Sequence, residues 1–154
     1  MKNTFSANFS SPKSQIIYTN IGVEEYFSLD IPFFSKPLIY LYGNLGMWKT
    51  TLSQILLRRC IWEDNSIFPS PTYSYYNVYK DGVYHFDLYR LQNYDEFIQI
   101  WGEEILLNRN GCIFVEWPEL IEDFIYPDIK IHIQEWESQD TRNITLDFTP
   151  QYLS

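Results

Sequence analysis

The sequence predicts an α/β chain built on a mixed sheet, with parallel strands in the middle, antiparallel strands added to them and helices alongside. Three observations carry this. A short apolar run, PLIYLY (Pro37–Tyr42), leads through a Gly-containing loop into a segment of helical spacing. A second apolar run, GCIFVEW (Gly111–Trp117), has the same buried-strand character. Between them two β-rich runs flank an Asp-Gly pair, and two alternating runs lie near the C-terminal end. Strands interleaved with helices pack as layers around one core.

In chain order, residues 1–14 are Ser/Asn-rich and read as a flexible N-terminus, which leaves 15–154 as a single domain. A length of 154 residues suits one domain and leaves little room for a second. Ile21–Leu29 reads as a short helix that ends before Pro32. Pro37–Tyr42 begins at a Pro and stops at a Gly, so it is a buried strand rather than a helix. From Lys49 to Cys60, Leu52, Ile55, Leu56 and Arg59 recur at helical spacing. TYSYYNVYK (Thr72–Lys80) and VYHFDLY (Val83–Tyr89) flank Asp81-Gly82. A type I′ turn needs positive φ at both central residues, so Asp-Gly between two β-rich runs predicts a hairpin. Helices follow at Asp95–Trp101 and Glu103–Leu107. Gly111–Trp117 is the next strand, and Pro118 opens a short helix through Phe124. Ile129–Gln134 and Arg142–Phe148 alternate as two late strands.

The formal net charge is −9, and no basic cluster exceeds Arg58–Arg59. Nucleic-acid affinity rests largely on Lys and Arg neutralising phosphates, which argues against direct reading of RNA by this chain. Five Trp, thirteen Tyr and eleven Phe read as core and half-buried strand residues. Cys60 and Cys112 lie far apart, with no CxxC spacing or His-rich partner, which argues against a zinc site. Reduced thiols are the expectation. The N-terminus lacks the apolar core of a secretory signal, and no apolar run reaches membrane-spanning length. A cytoplasmic protein is expected.

Two constellations could carry chemistry. GNLGMWKTT (Gly43–Thr51) is G-x-x-x-x-G-K-[ST] apart from one position, and it sits between a strand and a helix as that motif requires. Loop N–H groups and the helix N-terminus would cradle phosphate oxygens. Gly43, Asn44, Leu45, Gly46, Met47, Trp48, Lys49, Thr50 and Thr51 form this candidate nucleotide loop. Lys49 would reach the β- and γ-phosphates and the Thr50 hydroxyl would bind Mg²⁺. Trp48 stands where backbone must pass close to the phosphates. Its indole would fill the phosphate site or force the loop open, weakening nucleotide binding. The second constellation is Asp87, in the second hairpin strand, with Glu116, which ends CIFVE. Carboxylates at strand ends in such proteins hold Mg²⁺ or orient the attacking water.

These residues resemble the TsaE (YjeE) family. GNLGMWKTT corresponds to the family's GDLGAGKTT, and SPTYSYYNVY (Ser70–Tyr79), YHFDLYRL (Tyr84–Leu91) and VEWPE (Val115–Glu119) follow in order. A family-like Gly-Glu-Glu also sits at Gly102–Glu104. The resemblance covers most of residues 37–120. It implies a P-loop NTPase-like three-layer fold and an ATPase acting with TsaB and TsaD in forming threonylcarbamoyladenosine in tRNA. ATP and Mg²⁺ are the implied cofactors, and tRNA is met only through the complex. It further implies that Thr50, Asp87 and Glu116 serve the metal. Asp87 and Glu116 also serve the attacking water. Thr72 would lie on a switch-like loop, and Trp117 beside the nucleotide or the partner surface. Asn44 in place of Asp is a mild departure. Trp48 in place of Gly is not.

Three explanations fit intact carboxylates beside an altered loop: decay of the activity, a retained role as an interaction subunit without catalysis, or a loop adapted to bind nucleotide with Trp48 present. A small-molecule kinase is a distant alternative, since such enzymes carry an Arg-bearing lid and only five Arg are spread over the chain. A GTPase would need an NKxD segment, which the sequence lacks.

Overall fold

The structure, a computed structural model, describes residues 15–29, 36–44, 48–61, 74–135 and 140–149. The predicted flexible N-terminus, Leu45–Met47 and Ser70–Tyr73 with Thr72 lie outside the described residues.

Among the described residues seven strands form one sheet: β1 (Gln15–Gly22), β2 (Leu38–Tyr42), β3 (Tyr76–Val78), β4 (Tyr84–Asp87), β5 (Ile113–Glu116), β6 (Ile129–Glu135) and β7 (Thr141–Phe148). Their order across the sheet is β1-β7-β6-β2-β5-β4-β3. The middle is parallel, with β2 between β5 and β6 and β4 beyond β5. The outer pairs β3–β4, β6–β7 and β1–β7 are antiparallel. The expected mixed sheet, parallel at its centre, is what forms.

Side chains alternate between the two faces with the period of two that a strand imposes. Ile39, Leu41, Phe114, Ile129, Ile131, Ile133, Ile144 and Leu146 join one buried cluster with Leu52, Ile55 and Leu56 of α1 (Lys49–Ile61) and Tyr26 of the 3-10 helix Val23–Ser28. Leu38, Tyr40, Phe86, Ile113 and Val115 join the other with Phe97 of α2 (Tyr94–Gln99), Leu106 of α3 (Gly102–Leu107) and Ile121 and Ile125 beyond the 3-10 turn Pro118–Leu120. This is a three-layer α/β/α arrangement. β2 is buried along almost its whole length because it is central and covered on both faces, which is why it reads as a continuous apolar run.

One sequence expectation needs correction at the N-terminal side. Residues 21–29 do not form one helix. Ile21 and Gly22 end β1, and only then does the chain turn into the 3-10 helix. β1 itself is stabilised by pairing with β7 at the far end of the sequence, Gln15 opposite Asp147, a partnership no local pattern announces. Arg59, at the end of α1, donates to the carbonyls of Leu29 at 2.5 Å and Tyr26 at 3.4 Å and so ties this segment to the helix.

The hairpin forms as its turn chemistry requires. Asp81 has φ 62° and Gly82 φ 72°, the type I′ pair, and Val83 N–H returns to the Lys80 carbonyl at 3.4 Å. Its strands are shorter than the β-rich runs suggested, Tyr76–Val78 and Tyr84–Asp87. Cys60 and Cys112, distant in sequence, are neighbours in space. Their thiols share a hydrogen bond that raises the Cys60 pKa and lowers that of Cys112, and both cysteines are free.

Candidate functional site

In open sheets of this kind ligands bind beyond the carboxyl ends of the parallel strands. Four strands end here together. β2 runs into Gly43, while β4 and β5 stop at Asp87 and Glu116. In the parallel register Asp87 lies opposite Glu116, and Glu116 also opposes Leu41 of β2. β6 completes the row, and a cleft of about 530 Å³ opens between its end and β2, lined by Tyr42, Gly43, Asn44, Glu119, His132 and Glu135 among others.

α1 starts beside this row. The Thr50 hydroxyl donates to Glu116 Oε1 at 3.0 Å. The other carboxylate oxygen, Oε2, is 2.5 Å from His85 Nε2. A carboxylate only accepts, so Nε2 carries the hydrogen. Ser53 Oγ stands 3.3 Å from the same nitrogen and donates to the Thr50 carbonyl at 3.0 Å. Glu116 is thus buried with both oxygens engaged, one from the helix and one from β4. A buried carboxylate is tolerated on those terms.

Lys49 is buried at the first position of α1. Its ammonium donates to the Gly43 carbonyl and lies 3.4 Å from the centroid of the Trp117 ring. Burial lowers its pKa, opposed by Glu116, Glu119 and Asp87. Asp87 is half-buried and accepts from the Tyr89 N–H at 3.0 Å. Burial is the chief cause holding its carboxyl above the usual carboxylate range. The Tyr89 hydrogen bond and the charges of His85 and Lys49 pull it down, while Glu116 pushes it further up.

Trp48 has φ 63°, the left-handed region. For a residue with a Cβ that costs about 1–2 kcal/mol. The ring packs against the cluster beneath α1, edge-on to Tyr26 with centroids 6.2 Å apart, and the Arg142 guanidinium carbon lies 4.1 Å from its centroid. Aromatic pairs contribute about 0.5–1.5 kcal/mol and cation–π contacts roughly 0.5–2 kcal/mol, the same size as the backbone cost. The Trp48 carbonyl accepts from Leu52 N–H at 3.0 Å, so the residue opens the helix despite its unusual φ. Trp117, φ 57°, also adopts the left-handed conformation as it enters the 3-10 turn, and its ring lies against Tyr89 at 4.9 Å.

The structure therefore brings together Gly43, Lys49, Thr50, Asp87, Glu116 and Trp117. Thr51, in the first turn of α1, is half-buried, and Asn44 lines the cleft. Leu45, Gly46, Met47 and Thr72 lie outside the described residues. The sequence reading missed His85. Strand alternation held the signal, because His85 and Asp87 are two residues apart on one strand and so share a face.

The donor set suits a divalent cation with phosphate. The Thr50 hydroxyl spends its one hydrogen on Glu116, which leaves its oxygen lone pairs able to ligate. Among the described residues no three His, Cys, Asp or Glu side chains are grouped to hold a metal alone. Mg²⁺ needs no such group, since it keeps several waters and binds through one or two carboxylates plus phosphate oxygens.

A family model described as threonylcarbamoyl adenosine biosynthesis protein TsaE matches residues 18–144. The chain belongs to the TsaE family. The tRNA threonylcarbamoyladenosine biosynthesis protein TsaE of Haemophilus influenzae is 34% identical over 113 residues, 71% of this chain and 68% of that protein. The protein of the same description from Borreliella burgdorferi is 35% identical over 108 residues, 62% of this chain and 76% of its own length. A crystal structure of YdiB from Bacillus subtilis superposes with a TM-score of 0.63 at 24% identity, covering 90% of this chain and 88% of that one. That likeness speaks to the fold, a P-loop-type α/β architecture. The TsaE match spans both the segment Gly43–Thr51 and the strands that carry Asp87 and Glu116.

Proposed function

We propose that this TsaE-family chain binds and hydrolyses Mg²⁺-ATP as a component of tRNA threonylcarbamoyladenosine formation in the cytoplasm. It would act with homologues of TsaB and TsaD and meet tRNA only through them. One observation carries the reading: the Thr50 hydroxyl hydrogen-bonds Glu116 at 3.0 Å, in line with Asp87 on the adjacent strand and Lys49 on the adjacent helical position. The names of the relatives supply the pathway.

In this reading Lys49 exchanges the Gly43 carbonyl and the Trp117 face for phosphate oxygens. A buried ammonium with partially satisfied contacts is well placed for that exchange. Thr50, Asp87 and Glu116 would hold the cation and its waters. Bound Mg²⁺ would neutralise charge building on the β- and γ-phosphate oxygens. Asp87 and Glu116 would orient the attacking water. His85 would keep Glu116 from turning away.

The replacement of a motif glycine by Trp48 favours a second reading, a catalytically weakened subunit that serves by protein contact alone. Calorimetry of Mg²⁺-ATP into the purified chain, with and without its TsaB and TsaD homologues, separates the two. Binding heat together with phosphate release supports the ATPase. Absence of heat in both settings, while the partners still bind, leaves the contact role.

A further inference from the structure

We propose that Trp48, in place of the motif glycine, is a latch that holds the start of α1, and with it Lys49 and Thr50, in position. Its ring, held by Tyr26 and Arg142, fixes the left-handed entry to α1 on the side away from the Lys49 ammonium. This rests on the nucleotide-binding reading above and goes beyond it, because it assigns a positioning role to residues outside the motif.

The geometry supports it at three points. The backbone at Trp48 holds the φ that a glycine would supply freely. The indole and the Lys49 ammonium point to different clusters. Trp48 joins the core beneath α1, whereas Lys49 touches Trp117, which packs with the cluster on the opposite face of the sheet. The contacts come from distant elements, Tyr26 on the 3-10 helix after β1 and Arg142 near the start of β7. Arg142 is buried and shares the side of its strand with Ile144 and Leu146. Burying a guanidinium there needs a partner for its face, and the indole is one. A glycine at position 48 would leave that face without the ring.

Thermal melting and ADP calorimetry on the full chain test this with Trp48→Gly, Arg142→Met and the double variant. The latch requires Trp48→Gly to melt several degrees below the parent, although it relieves the left-handed backbone. Arg142→Met must melt lower too, and the double variant must lose less than the sum of the two. ADP affinity of Trp48→Gly must stay within about threefold of the parent, or fall. A variant that melts higher, or that binds ADP about tenfold tighter, roughly 1.4 kcal/mol, would overturn the latch. If neither parent nor variant binds ADP while the melting pattern holds, the nucleotide reading fails and the latch stands as a structural device.

Discussion

At the scale of single residues, the site sets folding stability against function, and Asp87 shows it most clearly. Its folded pKa is raised above the unfolded value, mainly by burial. The folded state then holds more protons between the two values, so stability is fully present below the unfolded pKa, about 4. It falls as pH rises through the folded pKa. Asp87→Asn removes that fall. The variant is expected to melt higher than the parent at neutral pH, match it near pH 3, and lose Mg²⁺-dependent phosphate release. Melting curves across pH with a parallel ATPase assay check both halves, and a variant less stable at neutral pH would contradict the assignment. Removing Glu116 is expected to destabilise the fold rather than stabilise it. Both its oxygens are engaged by buried donors, so Glu116→Ala strands the His85 Nε2–H and the Thr50 hydroxyl and should cost about 1–3 kcal/mol in denaturant titration.

At the scale of elements, the alignment of Asp87 with Glu116 depends on a turn far from the chemistry. Gly82 has φ 72°, and a Cβ there would collide with the Asn110 side chain. A Cβ on Gly111 would collide with the backbone of Asp81 and Gly82. The hairpin turn is therefore packed directly on the residues that lead into β5. Gly111→Ala should be more disruptive than Gly82→Ala, because backbone yields less readily than the end of a side chain. Both should lower the melting temperature, and Gly111→Ala should also weaken Mg²⁺-nucleotide binding by disturbing the β4–β5 register. The Asp-Gly pair announced this turn in the sequence, as the continuous apolar runs announced β2 and β5. Asp87 and Glu116 were legible for the same reason, as acidic residues in or at the end of such strands. β1 was not, because its partner β7 closes the pairing from the far end of the sequence. The direction of the Trp48 ring was hidden likewise, since Tyr26 and Arg142 converge on it only once the sheet has formed. His85 was read past because a histidine in an apolar strand looks like core until its hydrogen-bond partners are known.

At the scale of the whole molecule, charge bears on the proposal that the chain meets tRNA only through partners. The formal net charge is −9, and Glu119 and Glu135 line the cleft together with Gly43 and Asn44. The largest basic pair, Arg58–Arg59, is no phosphate platform, because Arg59 is turned to the Leu29 and Tyr26 carbonyls. Protein–nucleic acid affinity grows with the number of phosphates neutralised and weakens with salt in proportion to it. The isolated chain is therefore expected to show no retention of tRNA in filter binding, even at about 50 mM salt where such contacts are strongest. Retention should appear only when TsaB and TsaD homologues are added, with a salt slope set by those partners and unchanged by Arg58→Ala in this chain. Salt-dependent retention by the chain alone would mean that a basic surface forms which the described residues do not supply, and the proposed indirect role would have to give way to a direct one.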